Sequence, residues 1–370
     1  MLHYQVNGPA GAPPLLLGPS LGTSLAVWEA QARELGRHFR VVRFDLPGHG
    51  GSAFRDLATV RELADLVLGV ADELGIARFH YAGISLGGAI GGWLAVHHAT
   101  RVRSLAMICS AARFGEPENW RERARRVRAE GTDWLAESAL TRWFTPAGAD
   151  TPAAQRMITD LRAADPEAYA ACCDALAAYD LHRDLPRITA PTLVVAGRED
   201  PATPPPLARE LADAIPDATL VEIARAAHLA PVEQPAAVLA ALRAHLPAEE
   251  GMAVRRAVLG DDHVDRAIAR TTDFTADFQD LITRYAWGEI WTRPGLDRRT
   301  RSCITLTALV AGGHLEELAM HVKAALRNGL TPDEIKEVLL QSAVYCGVPA
   351  ANSAFAVAQR TLEQHPHGRT

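Results

Sequence analysis

Gly83-Ile84-Ser85-Leu86-Gly87 follows the apolar run of residues 77–82 and leads into the small-residue stretch 88–95. The run reads as a buried strand, the pentapeptide as a tight turn, and the stretch after it as a helix. Glycines flank the serine because such a turn leaves no room for a Cβ on either side, so the hydroxyl projects at the end of the sheet. The backbone N–H of Leu86, at the helix start, then points at the oxygen of a carbonyl under attack.

Serine is a weak nucleophile at neutral pH and needs a base and an orienting carboxylate, expected downstream in the order Ser, Asp, His. Residues 191–196 are a β-branched, apolar run that reads as a buried parallel strand and ends in Gly197-Arg198-Glu199-Asp200-Pro201. Asp200 is preferred over its neighbour Glu199 because in hydrolases with such a serine turn the acid directly precedes a turn, which here begins at Pro201. Leu220-Val221-Glu222-Ile223 is a further short strand, and Ala226-Ala227-His228 follows it on a loop. Asp200 is expected to orient the imidazole of His228, which takes the proton from Ser85. His49, His182 and His245 read as surface or hydrogen-bonded loop residues.

Leu15-Leu16-Leu17-Gly18-Pro19-Ser20-Leu21-Gly22-Thr23, Asp45-Leu46-Pro47-Gly48-His49-Gly50-Gly51-Ser52, the Ser85 turn and residues 197–204 together resemble the α/β-hydrolase superfamily. Within it they are similar to the 3-oxoadipate enol-lactone hydrolases, in which Ser-Leu-Gly-Thr replaces the commoner His-Gly turn after the first long strand. The resemblance covers residues 1 to about 247. It implies a mostly parallel sheet, a second oxyanion donor in the N–H of Leu21, and a structural role for Asp45 and His49. Residues from about 113 to 186 interrupt the strand–helix alternation with alanine-rich helical pattern, and such an insertion is a lid in many α/β-hydrolases. Trp143, with Phe144, is a candidate for lining the substrate pocket. The arginines from Arg121 to Arg128 read as a solvated, Glu-paired helix face, with a carboxylate clamp as the alternative.

At 370 residues the chain exceeds one such domain. The expected organisation is a hydrolase domain over 1–247, a linker over 248–251 and a second domain over 252–370. The second part has no credible strand. Helices are expected for about 252–259, 261–271, 273–288, 297–312, 314–328, 332–346 and 349–364. Thr331-Pro332-Asp333-Glu334 is a helix start, with a threonine cap, proline in the first turn and acids against the dipole.

Arg255-Arg256-Ala257-Val258-Leu259-Gly260, Trp287-Gly288-Glu289-Ile290-Trp291, Arg293-Pro294-Gly295-Leu296-Asp297, Arg301, Glu317 to His321 and Tyr345 to Asn352 resemble the carboxymuconolactone decarboxylases. That family shares its helical fold with alkylhydroperoxidase D proteins, whose Cys-x-x-Cys pair this sequence lacks. The decarboxylase reading requires no cofactor, because the substrate's ring alkene and lactone carbonyl accept the electrons that carbon dioxide leaves behind. His321, four residues after Glu317, is the candidate acid, Arg301 a candidate carboxylate fork and Glu289 a candidate proton-handling partner. The two resemblances name successive reactions of the protocatechuate branch of the β-ketoadipate pathway and so imply a bifunctional enzyme. They also imply homo-oligomers, trimers or hexamers, built through the C-terminal domain. The alternative is a general carboxylesterase or thioesterase joined to a non-catalytic helical oligomerisation module.

Five cysteines without framework spacing point to the cytoplasm, and the first residues have neither a basic nor an apolar leader pattern. A net charge of −6 and scattered arginines give no reason to expect nucleic acid as a partner, and no stretch is apolar enough for a membrane. No metal-ligand spacing is present, so neither metal nor cofactor is expected, and the partners are small-molecule lactones and further copies of the chain.

Overall fold

Short apolar runs, each bounded by glycine, proline or polar residues, become seven strands of one sheet: β1 (Tyr4–Asn7), β2 (Pro14–Gly18), β3 (Arg40–Phe44), β4 (Phe79–Ile84), β5 (Val102–Ile108), β6 (Thr192–Gly197) and β7 (Ala218–Ile223). Their order is β1-β3-β2-β4-β5-β6-β7, with β1 antiparallel to β3 and every other pairing parallel. All six residues of β4 are buried, as expected for a strand covered on both faces. Helices α1 (Glu29–Leu35), α2 (Val60–Glu73) and α3 (Leu86–His97) precede β5. From β2 the chain steps outward to β3 and then returns to β4 on the other side. The carboxyl ends of β2 and β4 are therefore the switch point where such sheets place their chemistry.

This computed structural model describes residues 1–246 and 249–364, and at positions 249, 250, 273, 277, 280, 284 and 289 the backbone alone. It divides into two compact units, Met1–Leu246 and Pro247–Thr370. Between β5 and β6 the first unit carries α4 (Pro117–Glu130), α5 (Leu135–Trp143), α6 (Pro152–Ala163) and α7 (Pro166–Ala177). Each start is encoded locally: Thr151 and Asp165 cap α6 and α7 with their side chains, and a proline opens α4, α6 and α7. Helices α8 (Pro205–Ala214), α9 (Ala230–Glu233) and α10 (Pro235–His245) complete the unit.

The second unit is helical throughout its described residues: α11 (Glu249–Leu259), α12 (Asp261–Ala269), α13 (Asp273–Leu281), a π-helical segment (Ile282–Ile290), α14 (Arg298–Gly312), α15 (Leu315–Arg327), α16 (Pro332–Cys346) and α17 (Val348–Glu363). Two boundaries differ from the sequence expectation. Helix α11 begins inside the expected linker of 248–251, and residues 247 and 248 lie outside the described residues. The single helix expected over 273–288 changes to π geometry at Ile282, a form that accommodates an extra residue per turn and recurs at functional sites. Thr331 and Glu334 form a reciprocal capping box at the start of α16. Leu306, Val310, Leu318, Val322 and Leu339 centre one core, and Val254, Val258, Val264, Trp287 and Ala324 a second. Among the described residues no helix is long and apolar enough to cross a membrane.

Candidate functional site

Ser85 sits between β4 and α3 with φ 54° and ψ −117°, a conformation a non-glycine residue adopts only when its surroundings enforce it. The flanking glycines make it possible. A Cβ on Gly83 would lie 2.1 Å from the Gly87 carbonyl oxygen, and one on Gly87 would lie 2.4 Å from that of Gly18 at the end of β2. The turn is pinned by Ser85 N–H to the Ile108 carbonyl (2.9 Å) and by Ser110 Oγ to the Ser85 carbonyl (2.9 Å). Leu86 is the first residue of α3, so its N–H has no intrahelical acceptor.

Asp200 follows β6 and His228 follows β7, on adjacent parallel strands, so both loops open at the same edge of the sheet. His228 Nδ1 lies 2.8 Å from Asp200 Oδ2, and the Asp200 side chain is fully shielded from solvent. Ala202 N–H (2.7 Å) and Thr203 N–H (3.0 Å) donate to Asp200 Oδ1, and Thr203 Oγ1 (2.6 Å) donates to Oδ2. Burial acts to raise the Asp200 carboxyl, but the charge and hydrogen bond of His228 and the bonds from Thr203 outweigh it and hold it below the ordinary value. Glu199 is solvent-exposed and takes no part.

The Ser20–Thr23 turn after β2 is held by side chains the sequence reading left as structural. Buried His49 gives its Nδ1 hydrogen to the Pro47 carbonyl (2.8 Å), so Nε2 is free to accept from Gly22 N–H (3.2 Å). Burial keeps this imidazole neutral by lowering its pKa. Ser24 Oγ donates to Asp160 Oδ2 on α6 (2.6 Å), and Leu25 N–H donates to Asp45 Oδ1 (2.6 Å). None of the loop hydrogen bonds among the described residues uses the N–H of Leu21, which borders the same cavity as Ser85.

That cavity, about 390 Å³, is walled by Ser20, Leu21, Ser85 and His228 below and by α4–α7 above. Trp143 lies on its wall, whereas Phe144 is buried away from it. The lid is fastened to the sheet loops by Leu229 N–H to the Trp143 carbonyl (2.9 Å) and by Glu233, which accepts from Thr145 N–H (2.9 Å) and Ala227 N–H (2.8 Å).

The arginines of α4 divide between two faces. Arg121, Arg125, Arg126 and Arg128 pair with Glu118, Glu122, Glu130, Glu167 and Asp174, the solvated face the sequence suggested. Arg123 instead turns into the cavity, 4.7 Å above the Trp120 ring, and Arg142 of α5 joins it there. Neither has a carboxylate partner among the described residues. Burial, and then the neighbouring charge of Arg123, lower the Arg142 pKa. Glu116, the acid on the wall, is taken by Arg113 at 3.0 Å. Arg142 was missed as a site residue in the sequence, and Arg123 belongs to the run in which a carboxylate clamp was the second reading, although it falls in the stripe Trp120–Ala124–Val127 at helical spacing.

In the helical unit His321 is half-buried on α15. Its pKa is pushed down to about 4 by burial, reinforced by His263 and opposed by Glu317. Arg301 is not among the charges acting on His321; it donates to the Arg293 carbonyl (2.8 Å) and braces the loop before α14. Glu289 lies on the π-helical segment with its side chain outside the described residues. All five cysteines are unpaired, and no group of metal-binding side chains occurs among the described residues.

These features have counterparts in known proteins. Residues 13–235 match the family described as alpha/beta hydrolase fold, and residues 276–360 match the carboxymuconolactone decarboxylase family. The first unit is 37% identical to 3-oxoadipate enol-lactonase 2 of Acinetobacter baylyi over 243 residues, 64% of this chain and 89% of that protein. The second is 46% identical to 4-carboxymuconolactone decarboxylase of the same organism over 115 residues, 31% of this chain and 86% of that protein. The crystal structure of the enol-lactonase from Burkholderia xenovorans LB400 superposes with a TM-score of 0.63 at 39% identity, covering 65% of this chain and 94% of that one. The chain therefore belongs to the α/β-hydrolase fold family and carries, behind that domain, a helical unit that belongs to the carboxymuconolactone decarboxylase family.

Proposed function

We propose that this chain carries two successive reactions: decarboxylation of 4-carboxymuconolactone to 3-oxoadipate enol-lactone in the helical unit, and hydrolysis of that lactone to 3-oxoadipate in the first unit. The relatives named for these two activities match separate parts of one chain, each over most of its own length, and this juxtaposition supports the reading. The observation that carries the substrate assignment is the pair Arg123 and Arg142, two cations without ion-pair partners among the described residues, on the wall that holds Ser85. Enol-lactone keeps a free carboxylate at the end of its side chain, and a simple ester does not. A carboxylate between the two guanidiniums relieves their mutual repulsion and fixes the lactone carbonyl over the nucleophile.

The chemistry then follows from the residues. His228, oriented by Asp200, takes the Ser85 proton as Oγ attacks the lactone carbonyl, and the N–H groups of Leu21 and Leu86 receive the developing oxyanion. Ring opening releases the enol oxygen, which takes the proton from His228 and becomes the 3-oxo group on tautomerisation. Water activated by His228 then frees the carboxylate. Trp143 and Trp120 give the ring an apolar wall. The substrates are soluble metabolites, and the cysteines are unpaired, which supports a cytoplasmic place of action.

Replacing Arg142 by Gln tests the assignment. Losing one charged hydrogen bond raises KM for enol-lactone by about tenfold to a hundredfold, with the rate on its methyl ester unchanged. Equal losses on both substrates, or wild-type preference for the ester, contradict it.

We also propose that the helical unit drives self-association. Phe274 is 95% exposed, Val344 76% and Tyr345 78%, on a unit too small to cover such faces by itself. A second copy presents the same faces and satisfies them by symmetry. Light scattering on the intact chain is expected to give an oligomer, trimeric or hexameric, that Val344→Asp with Tyr345→Asp dissociates; a monomeric wild type contradicts this.

A further inference from the structure

Two guanidiniums are deeply buried among the described residues, and they are treated differently. Arg43, 3% exposed, pairs with Glu29 at 2.7 Å. Arg255 of α11, 5% exposed, has no acid partner among the described residues, which leave out the side chains at 277, 280 and 289. Its Nη1 donates to Thr283 Oγ1 (3.0 Å) and its Nη2 to Gln279 Oε1 (2.8 Å), and its Nε is buried with no acceptor. The environment is built closely: a Cβ on Gly251, one turn before Arg255, would lie 2.2 Å from the Thr283 carbonyl oxygen, so α11 and the π-helical segment are in near backbone contact here. Arginine does not neutralise itself by losing a proton, so a buried fork with neutral partners destabilises the fold until an anion joins it.

The surroundings are cationic as well. Burial and the charges of Arg266, Arg255, Arg327 and Lys323 lower the pKa of His263 on α12, and burial and the charge of His263 lower that of His321 on α15, with Glu317 as the opposing acid. A region this positive, beside a π-helical segment that Arg255 contacts through Thr283, is suited to a dianion.

We infer that Arg255 is the anion anchor of the decarboxylase site, holding the acetate carboxylate that the substrate keeps, with His263 and His321 beside the reacting ring. This rests on the decarboxylase reading above. The retained carboxylate is the one assigned because a strong pair to the departing group stabilises the reactant, whose charge is lost as neutral carbon dioxide forms, and so opposes reaction. With the substrate anchored, the bond from the ring carbon to the departing carboxylate breaks. Its electron pair passes through the ring alkene to the lactone carbonyl oxygen, and carbon dioxide leaves. His321 gives a proton to the ring carbon next to that carbonyl, restoring the lactone with its alkene shifted, and regains a proton from water. The negative charge of the bound substrate opposes the burial that keeps His321 neutral in the empty site, so the proton arrives with the substrate.

The test compares 4-carboxymuconolactone with its analogue in which the acetate carboxylate is replaced by methyl, using the full chain. Wild type is expected to favour the natural substrate about tenfold to a hundredfold in kcat/KM. Arg255→Gln should lose that preference, treating both alike at the analogue's rate, and Arg255→Lys should keep part of it. Circular dichroism checks the fold, and if the glutamine variant is unfolded the lysine variant carries the comparison. Undiminished preference in the variants, or equal losses on both substrates, overturns the inference. A wild type that decarboxylates neither compound overturns the underlying decarboxylase reading instead.

Discussion

In the Ser85→Ala chain, hydrolysis of 3-oxoadipate enol-lactone is expected to fall by roughly a million-fold while decarboxylation continues, so enol-lactone accumulates from 4-carboxymuconolactone. The size follows from how a nucleophile and its base act as one unit: once Oγ is gone, His228 and Asp200 have nothing to activate. The selectivity follows from placement, since Ser85, Asp200 and His228 all lie in the unit Met1–Leu246. Alanine is tolerated at the turn because the constraint at Ser85 lies in its backbone, held through main-chain groups to Ile108 and Ser110, and not in its hydroxyl. Product analysis by proton NMR reads both reactions at once, and 3-oxoadipate formed at near wild-type rate contradicts the assignment.

Asp200→Asn is expected to cost about ten-thousand-fold in the same hydrolysis, although it changes one atom. Oδ1 already accepts from Ala202 N–H and Thr203 N–H, so the amide keeps its oxygen there and places its NH2, which only donates, at the Oδ2 position, leaving His228 in the tautomer that cannot take the serine proton. Burial magnifies the loss, because no water reaches the site to repair the pairing. Glu199→Gln, one residue earlier, is expected to stay within a few-fold of wild type because that side chain points to solvent. The reverse ranking in steady-state assays would transfer the acid's role to Glu199.

How much of this was legible in the sequence depends on what each residue's neighbours announce. Ser85, Asp200 and His228 each sit at the end of an apolar run, and period and order suffice to place them at one edge of a parallel sheet. Arg123 and Arg255 were harder to see. Each is one arginine in a cluster, and the cluster looks like a solvated face. The distinguishing sign is helical phase: Arg123 shares its stripe with Trp120 and Val127, and Arg255 shares its stripe with Gly251 and Leu259, while Arg121 and Arg256 point to acids outside. A cation on the apolar stripe of a helix is buried, and a buried cation without an acid calls for a ligand.

The π geometry after Ile282 was not legible, because one extra residue per turn leaves the apolar pattern readable as an ordinary helix. The brace from His49 to Gly22 depends on a contact between residues 27 positions apart, which local pattern does not encode. Arg301, to which a motif drew attention, donates one Nη hydrogen to the Arg293 carbonyl, and a second, more deeply buried cation lies on α11.

Performance of both steps by one chain is read by proton NMR of the purified, intact chain given 4-carboxymuconolactone alone, with released carbon dioxide trapped and counted. One carbon dioxide and one 3-oxoadipate are expected for each lactone consumed. Untouched substrate, or carbon dioxide released with enol-lactone left unopened by the enzyme, would contradict that expectation.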